Sequence, residues 1–261
     1  MSSFRRKKLV QEYYSARANQ YDRQKSRTWK TSEGFGKDIL KEILDGFREF
    51  NEKTILEIGV GTGRNAKPLL EKIEPCFIGL DLSKKMIQAA KKKLLGHKKN
   101  VNLILGDADH LPFASDSFGG VLCMSTMHYF FDQEKALEDF RKLLKKKGIL
   151  IYGDLSPHEF DNDEFFESLE RTISKVHVRY YKTSEMKRMI EKSGFHVVRV
   201  RIIEYQKTYD ALIEDKGSYF DVRIDSLRRF TEGASTKAKK QYALTETAMN
   251  LFYSVIRAMK E

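Results

Sequence analysis

Three glycines and one carboxylate have the types and spacing of a nucleotide-binding site. Gly59, Gly61 and Gly63 occupy every second position directly after a short apolar run rich in β-branched residues. Such spacing lets the backbone turn sharply and lets a ligand approach main-chain N–H groups that a Cβ would otherwise shield. Asp81 follows at close to the ~20 residues that separate a glycine turn from its ribose-binding carboxylate. The pattern predicts a nucleotide-like ligand at the carboxyl ends of neighbouring strands.

The glycine turn does not fit the dinucleotide pattern G-x-G-x-x-G, because Arg64 stands where the third glycine would be. It fits acid-x-G-x-G-x-G with Glu57 as the acid. This pattern resembles the first motif of the class I S-adenosylmethionine (SAM) dependent methyltransferases. Glycine turns also serve NAD and phosphate sites, and a tight turn without any ligand is the simplest alternative.

A second motif, Gly106-Asp-Ala-Asp-His-Leu-Pro-Phe, resembles the G-D-A-x-x-L-P-F motif of the same family. The resemblance implies that Asp107 takes the adenine amino group and that the backbone of Ala108 meets a ring nitrogen. Asp81 would accept both ribose hydroxyls, with Leu82 beside the adenine. The alternative role for Asp81 is to cap a helix over residues 84–95, although Ser83 is the better N-cap.

Further cofactor contacts are implied by the same resemblance. Residues 13–22 resemble the Y-x-x-x-A-x-x-Y-D segment that folds over the cofactor in this family, and residues 125–127 fall where the family passes the methionine part of SAM. We expect SAM as the cofactor and no metal. The predicted cofactor-binding residues are Tyr21, Glu57, Gly59, Val60, Gly61, Gly63, Asn65, Asp81, Leu82, Met86, Asp107, Ala108, Ser125 and Met127.

His128 is the first candidate for a catalytic base, because it matches a frequent Leu-His position of the family and histidine can handle protons near neutral pH. The alternative is a half-buried structural histidine. Tyr13 or Tyr21 is the next candidate. A sulfonium leaving group needs little acid help, so we expect the alignment of donor and acceptor to dominate the rate, with or without a base.

The elements that would position these residues alternate between apolar strands and amphipathic helices. This alternation predicts an α/β fold with a doubly wound, mostly parallel seven-stranded sheet, which the resemblance identifies as the Rossmann-like methyltransferase fold. N-terminal helices would precede the sheet, and a helical insert would precede its last strand. Gly148 is expected to cap the helix over residues 133–144. Residues 251–260 are expected to return as an antiparallel edge strand.

At 261 residues the chain is long enough for one elaborated methyltransferase domain, 1–261. We divide it into an N-terminal helical cap (1–50), a SAM-binding core (51–154), a lid or substrate segment (155–194), a helical insert (208–250) and a terminal strand (251–260).

Composition predicts a soluble, cytoplasmic protein. The hydrophobic content is 41% and the charged content 33%, and no apolar run approaches the ~20 residues that span a bilayer. The basic N-terminus lacks the apolar region of a signal peptide. Cys76 and Cys123 each lie in an apolar segment, which predicts two small buried thiols.

The net charge of +11 allows two interpretations, a basic face for nucleic acid or a lysine-rich solvated surface. Three functions follow. The first is methyl transfer from SAM to an N, O or C nucleophile of a small molecule. The second is methylation of tRNA, because Arg27, Trp29 and residues 179–181 resemble parts of tRNA wobble-uridine methyltransferases. The third is a non-catalytic SAM-binding module. Neither the acceptor nor the oligomeric state can be predicted.

Overall fold

A computed structural model describes residues 3–22, 34–50, 53–216 and 220–261. Strands and helices alternate along it as the hydrophobic pattern predicts. The strands are β1 (Thr54–Ile58), β2 (Cys76–Asp81), β3 (Val101–Leu105), β4 (Phe118–Met124), β5 (Leu144–Ser156), β6 (Phe195–Thr208) and β7 (Ala248–Lys260). The helices are α1 (Ser3–Arg17), α2 (Phe35–Glu49), α3 (Ala66–Lys72), α4 (Lys84–Lys93), α5 (Gln133–Leu143), α6 (Phe165–Ile173), α7 (Thr183–Lys192), α8 (Tyr209–Lys216), α9 (Ile224–Glu232) and α10 (Thr236–Gln241).

The described strands form one seven-stranded sheet in the order β3-β2-β1-β4-β5-β7-β6. Neighbours from β3 to β5 are parallel, and β7 runs antiparallel to both β5 and β6. The predicted doubly wound, mostly parallel sheet is therefore confirmed. Its strand order reverses between β1 and β4, and ligands of such sheets bind where the carboxyl ends of the strands meet at that reversal.

The prediction that the last strand lies at an edge is wrong. Strand β7 lies between β5 and β6, and Val255 and Ile256 on its opposite faces are both buried. A strand that is apolar on both faces is stabilised when other parts of the protein bury both faces, and this favours a position inside the sheet. The edges are β3 and β6, and β6 exposes Val200 and Ile202 on one face.

The predicted cap at Gly148 is also wrong. Helix α5 ends at Leu143 and the chain passes directly into β5 with an extended residue, Leu144. The positive φ of this connection, 63°, belongs to Lys147. Gly148 instead permits a close approach, because a Cβ there would lie 3.0 Å from the carbonyl oxygen of Gly119.

The two cysteines differ in burial. Cys123 is buried in β4, whereas Cys76 is exposed, so the prediction of two buried thiols is wrong for Cys76. Cys76 is the first residue of β2, and its apolar neighbour Phe77 takes the buried position. An apolar segment indicates a buried strand. It does not indicate whether the first or last residue of that strand is covered by the flanking helices.

Helices cover both faces of the sheet, and further helices lie beside the carboxyl ends of its parallel strands. Helix α2 packs on one face through Ile43 and Phe47, and helices α5 and α7 pack on the other. A third apolar cluster joins α6 to α8, α9 and α10 beside the end of β5 and the start of β7. This helical layer lies at the carboxyl ends of the parallel strands. Across the described ranges, none of the helices combines the length and apolar character needed to cross a membrane.

A buried carboxylate ties α2 to the antiparallel end of the sheet. Glu42 accepts hydrogen bonds from Arg199 Nε at 2.9 Å, Arg201 Nη1 at 3.1 Å and Arg257 Nη2 at 2.6 Å. Burial raises the pKa of Glu42, but the hydrogen bonds from Arg199 and Arg201 and the charge of Arg257 outweigh it. The pKa is therefore lower than its ordinary value, and the carboxylate is charged at neutral pH.

Replacement of Glu42 by alanine should destabilise the fold, because three guanidinium groups would lose their shared carboxylate. Removing one partner of a fully buried pair costs about 3–5 kcal/mol, and because Arg199 is half exposed we expect about 2–3 kcal/mol. Since the folded pKa of Glu42 is depressed, this contribution is full above the unfolded pKa and is lost as the pH falls through the folded pKa. Urea unfolding should therefore show a difference that shrinks on acidification. Glu71→Ala, an exposed acid of α3, is the control, and equal unfolding free energies for wild type and Glu42→Ala would contradict the prediction.

Candidate active site

A cleft of about 980 Å³ opens where β1, β2, β3 and β4 end, and we call it the strand-tip cleft. The short connections after these strands bring side chains from distant parts of the sequence to one edge of the sheet. All but three of the residues predicted to bind the cofactor line it. They are Tyr21, Gly59, Val60, Gly61, Asn65, Asp81, Leu82, Met86, Asp107, Ala108 and Ser125.

Glu57, Gly63 and Met127 do not line the cleft. Glu57 is buried behind the glycine turn, where its Oε1 accepts a hydrogen bond of 2.9 Å from Asn65 Nδ2. A Cβ on Gly63 would lie 3.1 Å from Leu94, so this glycine lets α4 pack closely. Met127 belongs to the apolar cluster between the sheet and helices α5 and α7. These three residues support the lining rather than form it.

The glycine turn needs its glycines for two different reasons. Gly59 has a φ of 72°, and a Cβ there would lie 2.3 Å from Thr126 Oγ1. Gly61 has a φ of 55°, and the nearest heavy atom to its Cβ position is 4.0 Å away. Gly59 therefore allows close packing inside the protein, whereas Gly61 leaves open space on the cleft side where a ligand can reach the backbone.

Both oxygens of Asp81 are oriented by backbone donors. Oδ2 accepts from Gly61 N and Oδ1 from Ser83 N, each at 2.8 Å. Ser83 itself caps α4 by accepting from Met86 N at 3.3 Å, so the predicted N-cap is confirmed. Burial raises the pKa of Asp81 to about 6, with the two backbone hydrogen bonds acting in the opposite direction. At neutral pH the cleft thus presents a fixed carboxylate at the end of β2.

Helix α1 crosses the mouth of the cleft and contributes a residue that the sequence reasoning missed. Lys7 Nζ lies 2.6 Å from Asp107 Oδ2 and also pairs with Asp109. Farther along the helix, Gln11 Nε2 donates to the carbonyl oxygen of Leu82 at 3.0 Å. The spacing of Lys7 and Gln11 is the only sequence signal for this contact, since residues four apart share one face of a helix. An adenine amino group bound at Asp107 would share that carboxylate with Lys7.

A second cavity of about 900 Å³, the inner chamber, continues from the cleft. Helices α1, α2, α6 and α8, the ends of β5 and β6 and the start of β7 contribute to its walls. The residues common to both cavities form the junction: Tyr14, Tyr21, Arg64, Asn65, Met124, Ser125 and Tyr129. The residues of the chamber that carry polar groups beyond the junction are Tyr13, Arg17, His128, Asp154, Glu170, Tyr180, Tyr205, Lys207, Asp215 and Tyr253.

His128 lines the inner chamber and not the strand-tip cleft. It is buried, and its Nδ1 lies 2.9 Å from Oδ2 and 3.0 Å from Oδ1 of Asp154 at the end of β5. When Nδ1–H donates to this carboxylate, Nε2 is the ring nitrogen that carries the lone pair. The pair has the arrangement of a histidine base held in one tautomer by a carboxylate.

The alternative bases, Tyr13 and Tyr21, do not have the required acidity. Burial raises the pKa of each phenol above its ordinary value, although the charge of Arg17 lowers both and that of Arg64 lowers the pKa of Tyr21. A general base works best when its pKa lies near the working pH. Both tyrosines therefore stay neutral at pH 7, which favours His128 over either one as the candidate base.

Replacement of Glu57 by glutamine should change how stability depends on pH. Burial raises the pKa of Glu57 to about 8, against the hydrogen bond from Asn65 and the charge of Arg64, and its ordinary value is 4.5. Between these values the unfolded carboxyl releases its proton while the folded one keeps it, so wild-type stability falls as the pH rises. Glutamine exchanges no proton. As the pH rises between these two pKa values, urea unfolding should therefore show the free energy of unfolding of the variant increasing relative to that of wild type. Glu71→Gln is the control, and a difference that does not vary with pH would contradict the prediction.

Residues 55–148 match the family described as the methyltransferase domain. The chain is 29% identical over 198 residues to the uncharacterized methyltransferase YcgJ of Bacillus subtilis, covering 74% of this chain and 77% of that protein. It is 32% identical over 152 residues to the demethylmenaquinone methyltransferase of Thermotoga maritima, covering 57% of this chain and 61% of that protein. The chain thus spans less than two thirds of the second relative.

Two solved structures have the same fold. The crystal structure of YcgJ superposes with a TM-score of 0.76 at 25% identity, covering 86% of this chain and 98% of that one. A putative methyltransferase from Bacillus halodurans superposes with a TM-score of 0.75 at 21% identity, covering 85% and 96% of the two chains, and shows the fold alone. With the glycine turn and the two strand-end acids, these similarities lead to one conclusion. They support a class I SAM-dependent methyltransferase, an enzyme that uses S-adenosylmethionine.

Proposed function

We propose that the enzyme transfers the methyl group of SAM from the strand-tip cleft to a small molecule held in the inner chamber. The observation that carries the proposal is the junction, because seven residues line both cavities. A donor in one cavity and an acceptor in the other would face each other across it. Alignment of two reactants contributes about 7–11 kcal/mol to catalysis in favourable cases, more than a base supplies.

The residues of the cleft fit the donor. Asp81 has two oriented oxygens that can accept from the ribose hydroxyls, and Asp107 and Ala108 line the same cleft and are the proposed adenine contacts. The open space beside Gly61 admits the ligand to the backbone. Ser125 lines both cavities and is the proposed contact for the methionine part. Bound SAM supplies an electrophilic methyl group on a sulfonium sulfur.

His128 is proposed to accept the proton that the acceptor loses. It lines the chamber rather than the cleft, so it is on the acceptor side of the junction. Asp154 holds its Nδ1, which keeps the ring in one orientation and makes Nε2 the nitrogen that we propose receives the proton. Asp154 is therefore a positioning residue.

A small acceptor fits this chamber better than tRNA does. Four helices, α1, α2, α6 and α8, contribute to its wall, and most of its described lining is buried inside the protein, which suits a small molecule. The relative from Thermotoga maritima, whose name gives demethylmenaquinone as its substrate, also favours a small molecule. Of the residues that motivate RNA binding, Arg27 and Trp29 lie outside the described residues. Arg179 lies 4.9 Å from the ring centroid of Tyr181 and so already stacks within the protein.

The test is transfer of a tritiated methyl group from SAM into a cell extract separated into metabolite, lipid, RNA and protein fractions. Label is expected in the metabolite fraction with wild type and not with Asp81→Ala. Label confined to RNA would overturn the small-molecule acceptor. Calorimetry of the purified protein with SAM and with S-adenosylhomocysteine completes the test, since a protein that binds neither cannot have the proposed activity.

A further inference from the structure

Ser125 has a backbone conformation that a residue with a side chain rarely adopts. Its φ is 50°, in the left-handed region that favours glycine, and it follows directly on β4 at the junction of the two cavities. A residue keeps such a conformation only where the surrounding structure holds it there, and such residues concentrate at ligand and active sites. The contacts of Ser125 therefore show which residues shape the junction.

Two neighbouring strands hold Ser125, one through its backbone and one through its side chain. Its N–H donates to the carbonyl oxygen of Gly153 in β5 at 2.6 Å. Its Oγ lies 2.8 Å from the hydroxyl oxygen of Tyr253 in β7. Strands β5 and β7 are paired with each other in the sheet. Both contacts therefore come from the interior of the sheet, which fixes the serine hydroxyl in place.

Gly153 also makes room for the ring of Tyr253. A Cβ on Gly153 would lie 3.0 Å from Tyr253 Cε1, so a larger residue would crowd the ring. The same ring packs edge-on against Phe35 of α2, with the two ring centroids 5.6 Å apart. Tyr253 is buried, and it lines the inner chamber but not the strand-tip cleft. The tyrosine thus reaches Ser125 from the chamber side, on a ring held by its neighbours.

The phenol of Tyr253 keeps its proton at neutral pH. Burial and the charge of Asp154 raise its pKa, against the hydrogen bond with Ser125 and the charge of Arg64. Each of the two hydroxyls has one proton to donate and can also accept. When the phenol donates to Ser125 Oγ, the proton of the serine stays available for a ligand at the junction. A carboxylate is the strongest acceptor for that proton, and the cation Arg64 lines the same junction.

We propose that Tyr253 is a positioning residue for the methyl donor, an inference that rests on the proposed function. Its hydroxyl donates to Ser125 Oγ, and the Ser125 hydroxyl donates to the methionine carboxylate of SAM. These two hydrogen bonds hold the methionine part of the donor at the junction, so that the methyl group faces the inner chamber. Because Tyr253 does not line the strand-tip cleft, it acts on the donor only through Ser125.

The experiment compares two ligands that share adenosine and sulfur but differ in the methionine part. S-adenosylhomocysteine has the carboxylate, whereas methylthioadenosine lacks the whole amino-acid group. Each is titrated calorimetrically into wild type and Tyr253→Phe. The variant should bind S-adenosylhomocysteine about threefold to tenfold more weakly, the effect of one hydrogen bond, and methylthioadenosine as wild type does. The matched control, Tyr152→Phe, changes a buried tyrosine of β5 in the apolar cluster on the opposite face of the sheet and should leave both affinities unchanged.

A double variant tests whether Tyr253 acts through Ser125. Ser125→Ala alone should weaken S-adenosylhomocysteine, and the addition of Tyr253→Phe should weaken it no further. An equal loss of both ligands in Tyr253→Phe would indicate a merely structural role and overturn the inference. An unchanged affinity for S-adenosylhomocysteine in that variant, or additive losses in the double variant, would overturn it as well. Wild-type protein that binds neither ligand would instead overturn the proposed function.

Discussion

His128→Ala is expected to lower kcat by about 10²–10⁴-fold, the range that a positioned general base contributes. His128 lines the inner chamber, and Asp154 holds its Nδ1, so the alanine variant loses the proposed proton acceptor while the cleft keeps all its lining residues. The affinity for SAM should therefore not change. The measurements are steady-state rates with the acceptor found in the transfer assay and calorimetry with SAM.

Two variants sharpen this prediction. Asp154→Asn keeps the size of the side chain but can donate to Nδ1, which would move the ring proton to Nε2 and remove the acceptor lone pair. It should lower kcat with little change in SAM affinity. His196→Ala, at a more exposed histidine of β6, is the matched control and should react at the wild-type rate. A wild-type rate for His128→Ala across the pH range would eliminate the base.

Asp81→Ala is expected to weaken SAM binding by about 10²–10⁴-fold. Two charge-assisted hydrogen bonds to the ribose would be lost, and each contributes about 1.5–3 kcal/mol. Asp45→Ala, an exposed acid of α2, is the control. Calorimetry with S-adenosylhomocysteine measures the effect, and circular dichroism checks that the variant is folded. An unchanged affinity in a folded variant would show that this carboxylate does not hold the cofactor.

The same carboxylate predicts a pH dependence of SAM binding. Burial raises the pKa of Asp81 to about 6 in the free protein. Below that pH the free protein carries a proton that the complex must release, so SAM affinity should fall, by up to about tenfold for each further pH unit. Asp81→Ala cannot take up this proton and should lack this part of the pH dependence. Equal slopes for wild type and the variant would contradict the assignment.

The sequence predicted the sheet because the alternation of apolar runs and helical patterns is local and periodic. The sequence-based predictions were wrong where the position of a residue or strand depends on contacts with distant parts of the chain, which the local hydrophobic pattern does not encode. In the order β5, β7, β6, the strand that is apolar on both faces lies between the other two. Gly148 is required by the close approach of the Gly119 backbone and does not cap the preceding helix. The exposure of Cys76 likewise depends on where the flanking helices end.

The residues proposed to hold SAM were recognisable from the sequence alone, because each belongs to a short segment at the end of a parallel strand. Those ends meet at one edge whatever the rest of the chain does, so Asp81 lies beside Gly61 and within one cleft with Asp107. The inner chamber was decided only by the tertiary structure. Its wall joins residues as far apart as Tyr13 and Asp215, which are 202 positions apart in the chain. Single side chains from separate helices carry no local pattern, so only their packing shows that they line one chamber.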